Sequence, residues 1–167
     1  MNTTTRVLLA ASIVVALAAC SKKVKEEVDT VTTAPVTTAP ASDGRYTPAD
    51  LDTDACLRQR TVYFDFDQDT LRPEFQAIMA CHAKYLSDRP ESRMTLEGNA
   101  DERGTREYNL GLGERRGNAV SGALQGAGGS AGQITVVSYG EERPVCTDSA
   151  ESCWQRNRRV EIVYTAK

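Results

Sequence analysis

The 167-residue chain has one histidine and no run approaching the roughly twenty apolar residues that a mature membrane-spanning helix needs. No Walker A or CxxC pattern occurs, so the familiar signatures of a phosphate loop and a redox dithiol are missing. Net charge is weak as well: a formal value of -3 gives no electrostatic case for nucleic acid as the main partner. Against these gaps stand 40% hydrophobic residues, enough for the core of one ordinary domain. Five cysteines are many for a reduced cytosolic protein of this size and point to an oxidising compartment.

The N-terminus supplies that compartment. Met1 to Arg6 is short, polar and carries one arginine, and Val7 to Ala19 is an uncharged, almost wholly apolar stretch. This is the order of a secretory signal. Leu17-Ala18-Ala19-Cys20 closes it and resembles the bacterial lipobox, which implies cleavage before Cys20, a thioether lipid on its sulfur and acylation of its new amino group. More than one acyl chain makes a stable anchor, at about 0.8 kcal/mol per buried CH₂. Serine rather than aspartate at position 21 favours the outer membrane, by resemblance to other lipoproteins. Residues 1–19 are thus expected to be the signal peptide and 20–50 a lipidated N-terminus and flexible linker. The linker holds the echo Thr32-Thr33-Ala34-Pro35 and Thr37-Thr38-Ala39-Pro40, without helix or strand periodicity.

Residues 51–167 read as the folded domain. Thr61 to Phe66 is β-branched and aromatic, a strand. Pro73 opens a helix whose apolar face is Phe75, Ile78, Met79, His82, Tyr85 and Leu86, and Pro90 ends it. Met94 to Glu97 reads as a second strand stopping at Gly98. A second helix spans about Arg106 to Gln125, and Gly126, Gly128 and Gly129 terminate it. Ile134–Tyr139 and Arg159–Tyr164 are further strands, separated by a loop. The order predicts an α/β fold with helices packed on one sheet. Charged residues gather at the strand ends: Asp65, Asp67 and Asp69 after the first, and Asp101, Glu102 and Arg103 after the second. Singly, each fits a solvated rim. The run Gly98-Asn99-Ala100-Asp101-Glu102-Arg103-Gly104-Thr105, with glycine near each end and both charge signs inside, does not reduce to that.

Val62-Tyr63-Phe64-Asp65-Phe66-Asp67, the run Glu97 to Thr105, Tyr108-Asn109-Leu110, Gly113-Glu114-Arg115-Arg116, Val137 to Gly140 and Asn157-Arg158-Arg159 together resemble the OmpA-like family in its lipoprotein branch, over about Thr61 to Tyr164. The resemblance implies an OmpA-like βαβα-ββ domain with a mixed four-stranded sheet and helices on one face. It also implies non-covalent binding of peptidoglycan through the diaminopimelate of the stem peptide. Its free end carries an ammonium and a carboxylate on one carbon. Asp101 matches the family aspartate for the ammonium. Arg116 matches the family arginine for the carboxylate, which a planar fork suits. Phe66 and Asp67 match pocket-lining positions, and Arg103 and Asn109 match positions for loop shape and hydrogen bonding. The resemblance further implies a periplasmic β-propeller partner of the Tol system, other Tol proteins, and roles in envelope integrity and division. Asn99 stands where several members have histidine, and glycines at 111 and 113 depart from the family pattern and should weaken the helix.

With Cys20 lipidated, Cys56, Cys81, Cys146 and Cys153 remain and allow three pairings. Pairing 146 with 153 and 56 with 81 is favoured, because each joins segments the fold should bring together. A wall-modifying amidase or transpeptidase is the competing class. It needs a metal cluster or a Cys–His pair, and His82 beside Cys81 reads instead as a satisfied core histidine, because adjacent helical residues diverge. No catalytic residue, metal or cofactor is expected. Arg156, Arg158 and Arg159 read as partners of the last strand and nearby carboxylates.

Overall fold

A computed structural model describes residues 43–167. The signal segment, Cys20 and most of the expected linker lie outside the described residues. Four strands form one sheet: β1 (Thr61–Tyr63), β2 (Arg93–Asn99), β3 (Ile134–Gly140) and β4 (Arg159–Ala166), in the order β1-β4-β2-β3. β2 runs parallel to β3, while β4 is antiparallel to both β2 and β1. The helices are α1 (Asp50–Thr53), α2 (Gln76–Asp88, entered through a 3-10 turn at Pro73–Phe75), α3 (Arg106–Gly126) and α4 (Glu151–Asn157).

Period-two alternation fixes which sheet face is covered. Met94 and Leu96 of β2 and Val160 and Ile162 of β4 are buried, whereas Arg93 and Val163 are exposed. Against the buried face lie Ile78, Met79, Tyr85 and Leu86 of α2 with Val120 and Leu124 of α3. Each such side chain contributes about 1.5–3 kcal/mol on burial. All six residues expected on the apolar face of the first helix are buried. His82 is among them: its Nδ1 accepts from Tyr164 Oη at 2.8 Å and its Nε2–H donates to Gln59 O at 3.1 Å. That is a satisfied core histidine. Both favoured disulfides are present, Cys56–Cys81 and Cys146–Cys153.

Three expectations need correction. β2 does not stop at Gly98 but continues to Asn99, because Gly98 serves packing and not a turn. A Cβ there would overlap the Gly113 carbonyl, so a pair of glycines lets α3 lie directly on β2. Gly113 is therefore a contact, not merely a weak point of the helix. The segment between the last two strands is not only loop, since α4 lies within it. This helix buries only Cys153 and Asn157, too few for a periodic signal. The Cys146–Cys153 bridge holds it, along with Asn157, which accepts from Val145 N at 2.9 Å and donates to Cys146 O at 2.7 Å. Finally, the end of the expected linker packs onto α2: Tyr46 N–H donates to Asp88 Oδ2 at 2.8 Å and Lys84 Nζ to Gly44 O at 2.9 Å.

Candidate functional site

The close packing of α3 on β2 determines where Arg116 falls. One turn beyond Gly113, its side chain enters the space between the end of β2 and the turn that follows β1. Nη1 donates to Asn99 O at 2.9 Å, Nε to Gln68 O at 2.8 Å and Nη2 to Asp65 O at 3.1 Å. The guanidinium also stacks over the Phe64 ring, 5.3 Å from its centroid. It is wholly buried, and no carboxylate pairs with it among the described residues. Burial, and then the field of Arg158, bring its pKa down to about 10, so it remains a cation at neutral pH. Two of its five N–H groups are left beyond the three carbonyl bonds.

Asp101 sits at the start of the loop after β2 and is likewise buried. Its Oδ1 accepts from Arg103 N at 3.1 Å and Arg103 Nε at 3.2 Å. Its Oδ2 accepts from Arg103 Nη2 at 2.7 Å and Arg158 Nη1 at 3.1 Å. Burial opposes its charge, but the hydrogen bonds from Arg103 and Arg158 together outweigh that and hold the carboxyl below the usual aspartate range. Arg158 was expected to serve carboxylates around the last strand; it does so from inside the site, bonding Asp101, Glu151 at 2.6 Å and Phe64 O at 3.1 Å.

A cavity of about 480 Å³ opens between these elements. Phe66, Asp67, Asp101, Arg103, Asn109 and Arg116, the six residues expected at the site, all line it. Asp67 adopts φ 56°, a left-handed conformation that aspartate tolerates better than most residues, and its carboxylate accepts from Tyr108 Oη. Asn109 Nδ2 donates to Asp101 O at 3.1 Å and so fixes the loop from the α3 side. Thr105 caps α3, its hydroxyl accepting from Tyr108 N at 3.2 Å, and the positive end of that helix faces the cavity. Phe66 stays half-exposed at the rim.

Sequence reasoning missed three contributors. Arg158 and Tyr108 both line the cavity, and Trp154 of α4 stacks on Arg103 at 4.2 Å. Arg158 and Tyr108 lay inside the motifs that carried the resemblance, but Arg158 was read only as a partner of carboxylates near the last strand and Tyr108 was given no role. Trp154 offered no signal beyond its place beside Cys153. Arg115, the neighbour of Arg116 on α3, does not line the cavity and holds the turn after β1 through Asp69 at 3.0 Å.

A four-stranded sheet with this strand order, and a cavity at its strand ends built from buried charges of both signs, defines an OmpA-like domain. A model of the OmpA family matches residues 63–158, and the chain belongs to that family. It is 42% identical to the peptidoglycan-associated lipoprotein of Haemophilus influenzae over 98% of this chain and 100% of that one. Over 67% of this chain and 68% of the other it is 50% identical to the protein of the same name from Pseudomonas putida. The crystal structure of the peptidoglycan-associated lipoprotein from Burkholderia pseudomallei aligns with a TM-score of 0.68 at 42% identity, covering 70% of this chain and 98% of that one.

Proposed function

We propose that this chain is a lipoprotein of the outer membrane, anchored through Cys20, that holds peptidoglycan non-covalently and so links membrane to wall. It is a binding protein and not an enzyme, as its relatives' names and family indicate. The finer reading is that the cavity takes the zwitterionic end of diaminopimelate in the stem peptide. Asp101 receives the ammonium and Arg116 the carboxylate. Phe66, Asp67, Arg103 and Asn109 shape the pocket around them. As a member of the Tol system, the chain docks to the periplasmic β-propeller protein, facing the periplasm, and serves envelope integrity and constriction at division.

The observation that carries the reading is that Asp101 and Arg116, fifteen positions apart in the sequence, line one cavity while no carboxylate pairs with Arg116 among the described residues. A ligand carboxylate there meets a cation that folding has already stripped of water, and the two remaining N–H groups can form a fork. Binding needs no covalent step, so denaturant should release intact protein from the wall.

Co-sedimentation with purified sacculi tests this. Asp101→Ala and Arg116→Ala, checked for folding by circular dichroism, should each lose most pelleting, because a desolvated charge left without its partner costs about 2–5 kcal/mol. If both folded variants pellet like wild type, the clamp is wrong. Cys20→Ala should abolish acyl labelling; a mature N-terminus elsewhere than residue 20 would remove the anchor from the reading.

A further inference from the structure

We propose that Arg103 is a displaceable internal ligand of Asp101, which an incoming ammonium pushes across to Glu151. The inference rests on the reading above, in which Asp101 receives the ammonium.

A carboxylate has about four acceptor positions. In this structure all four on Asp101 are filled: Oδ1 by the backbone N and Nε of Arg103, and Oδ2 by Arg103 Nη2 and Arg158 Nη1. No ligand N–H can reach Asp101 at full strength unless one donor leaves. The chain itself fixes the Arg103 backbone N. Arg158 is held at 3% side-chain exposure, with Phe64 O and Glu151 as further acceptors, so moving it would break several bonds at once. The Arg103 side chain is the donor that can move. It is 30% exposed, and a second carboxylate, Glu151 Oε2, already lies 3.5 Å from its Nη2.

The way Arg103 is held suits such a shift. Its guanidinium lies between the Phe66 ring at 4.1 Å and the Trp154 ring at 4.2 Å. Two aromatic faces attract a flat cation without fixing its rotation in the plane between them. Arg103 can therefore turn from Asp101 toward Glu151 and keep both stacking partners. The transfer leaves total charge unchanged, and Asp101 stays ionised and paired throughout. Arg103 mimics the ammonium; it is not a contact for the wall. Its competition weakens binding, and removing its charge should tighten it.

Trp154 is the chain's one tryptophan, so its fluorescence reports the position of Arg103. The test titrates full-length protein in detergent with meso-diaminopimelate, by calorimetry and tryptophan fluorescence in parallel. Wild type should bind with a fluorescence change that saturates together with the heat. Arg103→Gln and Arg103→Ala should bind about three- to tenfold tighter, the competition of a partly exposed charge-assisted pair, and should lose that change. Folded variants that bind as weakly as wild type, or more weakly, overturn the proposal while leaving the wall reading intact. If wild type does not bind diaminopimelate at all, the wall reading fails and this inference falls with it.

Discussion

Replacing Gly113 by alanine should destabilise the protein, although alanine is the better helix former. At an open helical position the change from glycine to alanine gains about 1 kcal/mol. At Gly113 the added Cβ would lie 2.8 Å from Gly98 O and would overlap Ser138 Oγ, the hydroxyl that donates to Leu110 O at 2.6 Å. A shift of α3 away from β2 is the main relief, and overpacking of that kind costs about 1–3 kcal/mol. Losing the Ser138 hydrogen bond adds about 1 kcal/mol. The sum is a net loss of about 1–3 kcal/mol. Gly111 is the internal control, since a Cβ there meets only the end of the Arg115 side chain, 3.4 Å away. Gly111→Ala should therefore stabilise by up to about 1 kcal/mol. The site registers the same movement: Arg116 rides on α3 and reaches Asn99 O at 2.9 Å, so lifting the helix breaks the carbonyl cage. Urea denaturation gives the two midpoints, and sacculus pelleting gives the effect on the cavity. If both alanine variants raise the midpoint, or if Gly113→Ala lowers it with pelleting unchanged, the argument that a close helix–strand contact positions Arg116 is refuted.

Arg115→Ala should cost less than about 1 kcal/mol, because its pair with Asp69 is half-exposed on both sides, and sacculus pelleting should fall only slightly. Removing Cys56–Cys81 should cost about 3.5 kcal/mol and Cys146–Cys153 about 2.5 kcal/mol by loop-closure entropy, read as the drop in unfolding free energy of each Cys→Ser pair. The smaller loss should nevertheless disturb the cavity more, since only α4 carries Trp154. Burial pushes His82 below the ordinary histidine pKa, with its bond to Gln59 O only partly opposing that. In the window below about pH 6.5 the unfolded chain then binds more protons than the folded one. The stability His82 contributes is complete above that pH and declines as pH falls toward the folded value. Thermal melts from pH 7 to 5 should show a steeper loss for wild type than for His82→Gln; equal slopes would clear His82 of the effect.

The sequence was legible where burial imposes a period. The apolar face of α2 reads directly from Phe75 to Leu86, and β4 alternates through Val160, Ile162 and Tyr164, so these two elements follow from spacing alone. Glycine was harder, because one residue type serves two purposes. Gly104, at φ 120°, is a turn residue as its loop suggested, whereas Gly98 lies inside a strand and is needed only because another backbone passes over it. Nothing local to Gly98 separates those cases; the partner, Gly113, is fifteen residues away. α4 stayed hidden for a related reason, as a disulfide and one asparagine hold it in place of an apolar stripe. At the site, the motifs named residues that share a cavity but not which charge faces which. The pairing of Asp101 with both Arg103 and Arg158 depends on the start of β4 lying beside the loop after β2, which the sheet order brings about and spacing does not reveal.

The two charges assigned to the ligand are prepared in opposite ways, and this bears on how binding energy is spent. Arg116 is desolvated during folding and surrounded by carbonyl oxygens, which orient it without neutralising it. Its lowered pKa, about 10, reflects that unfavourable setting, which any anion reaching its two remaining N–H groups relieves. Asp101 is desolvated too, but two guanidinium groups and the Arg103 backbone N–H fully satisfy it, so a cation gains there only the difference between itself and the donor it replaces. On the proposed reading, affinity therefore comes mainly from the carboxylate end, and discrimination from the ammonium end. A ligand with an ammonium and no carboxylate would enter a cavity lined by three arginines and gain little. One with a carboxylate alone would keep Arg103 on Asp101 and still satisfy Arg116. Comparing meso-diaminopimelate with pimelate and cadaverine separates these contributions: pimelate should retain measurable binding without moving the Trp154 signal, and cadaverine should bind weakest. A cadaverine affinity equal to that of pimelate would mean that Arg116 does not serve the carboxylate.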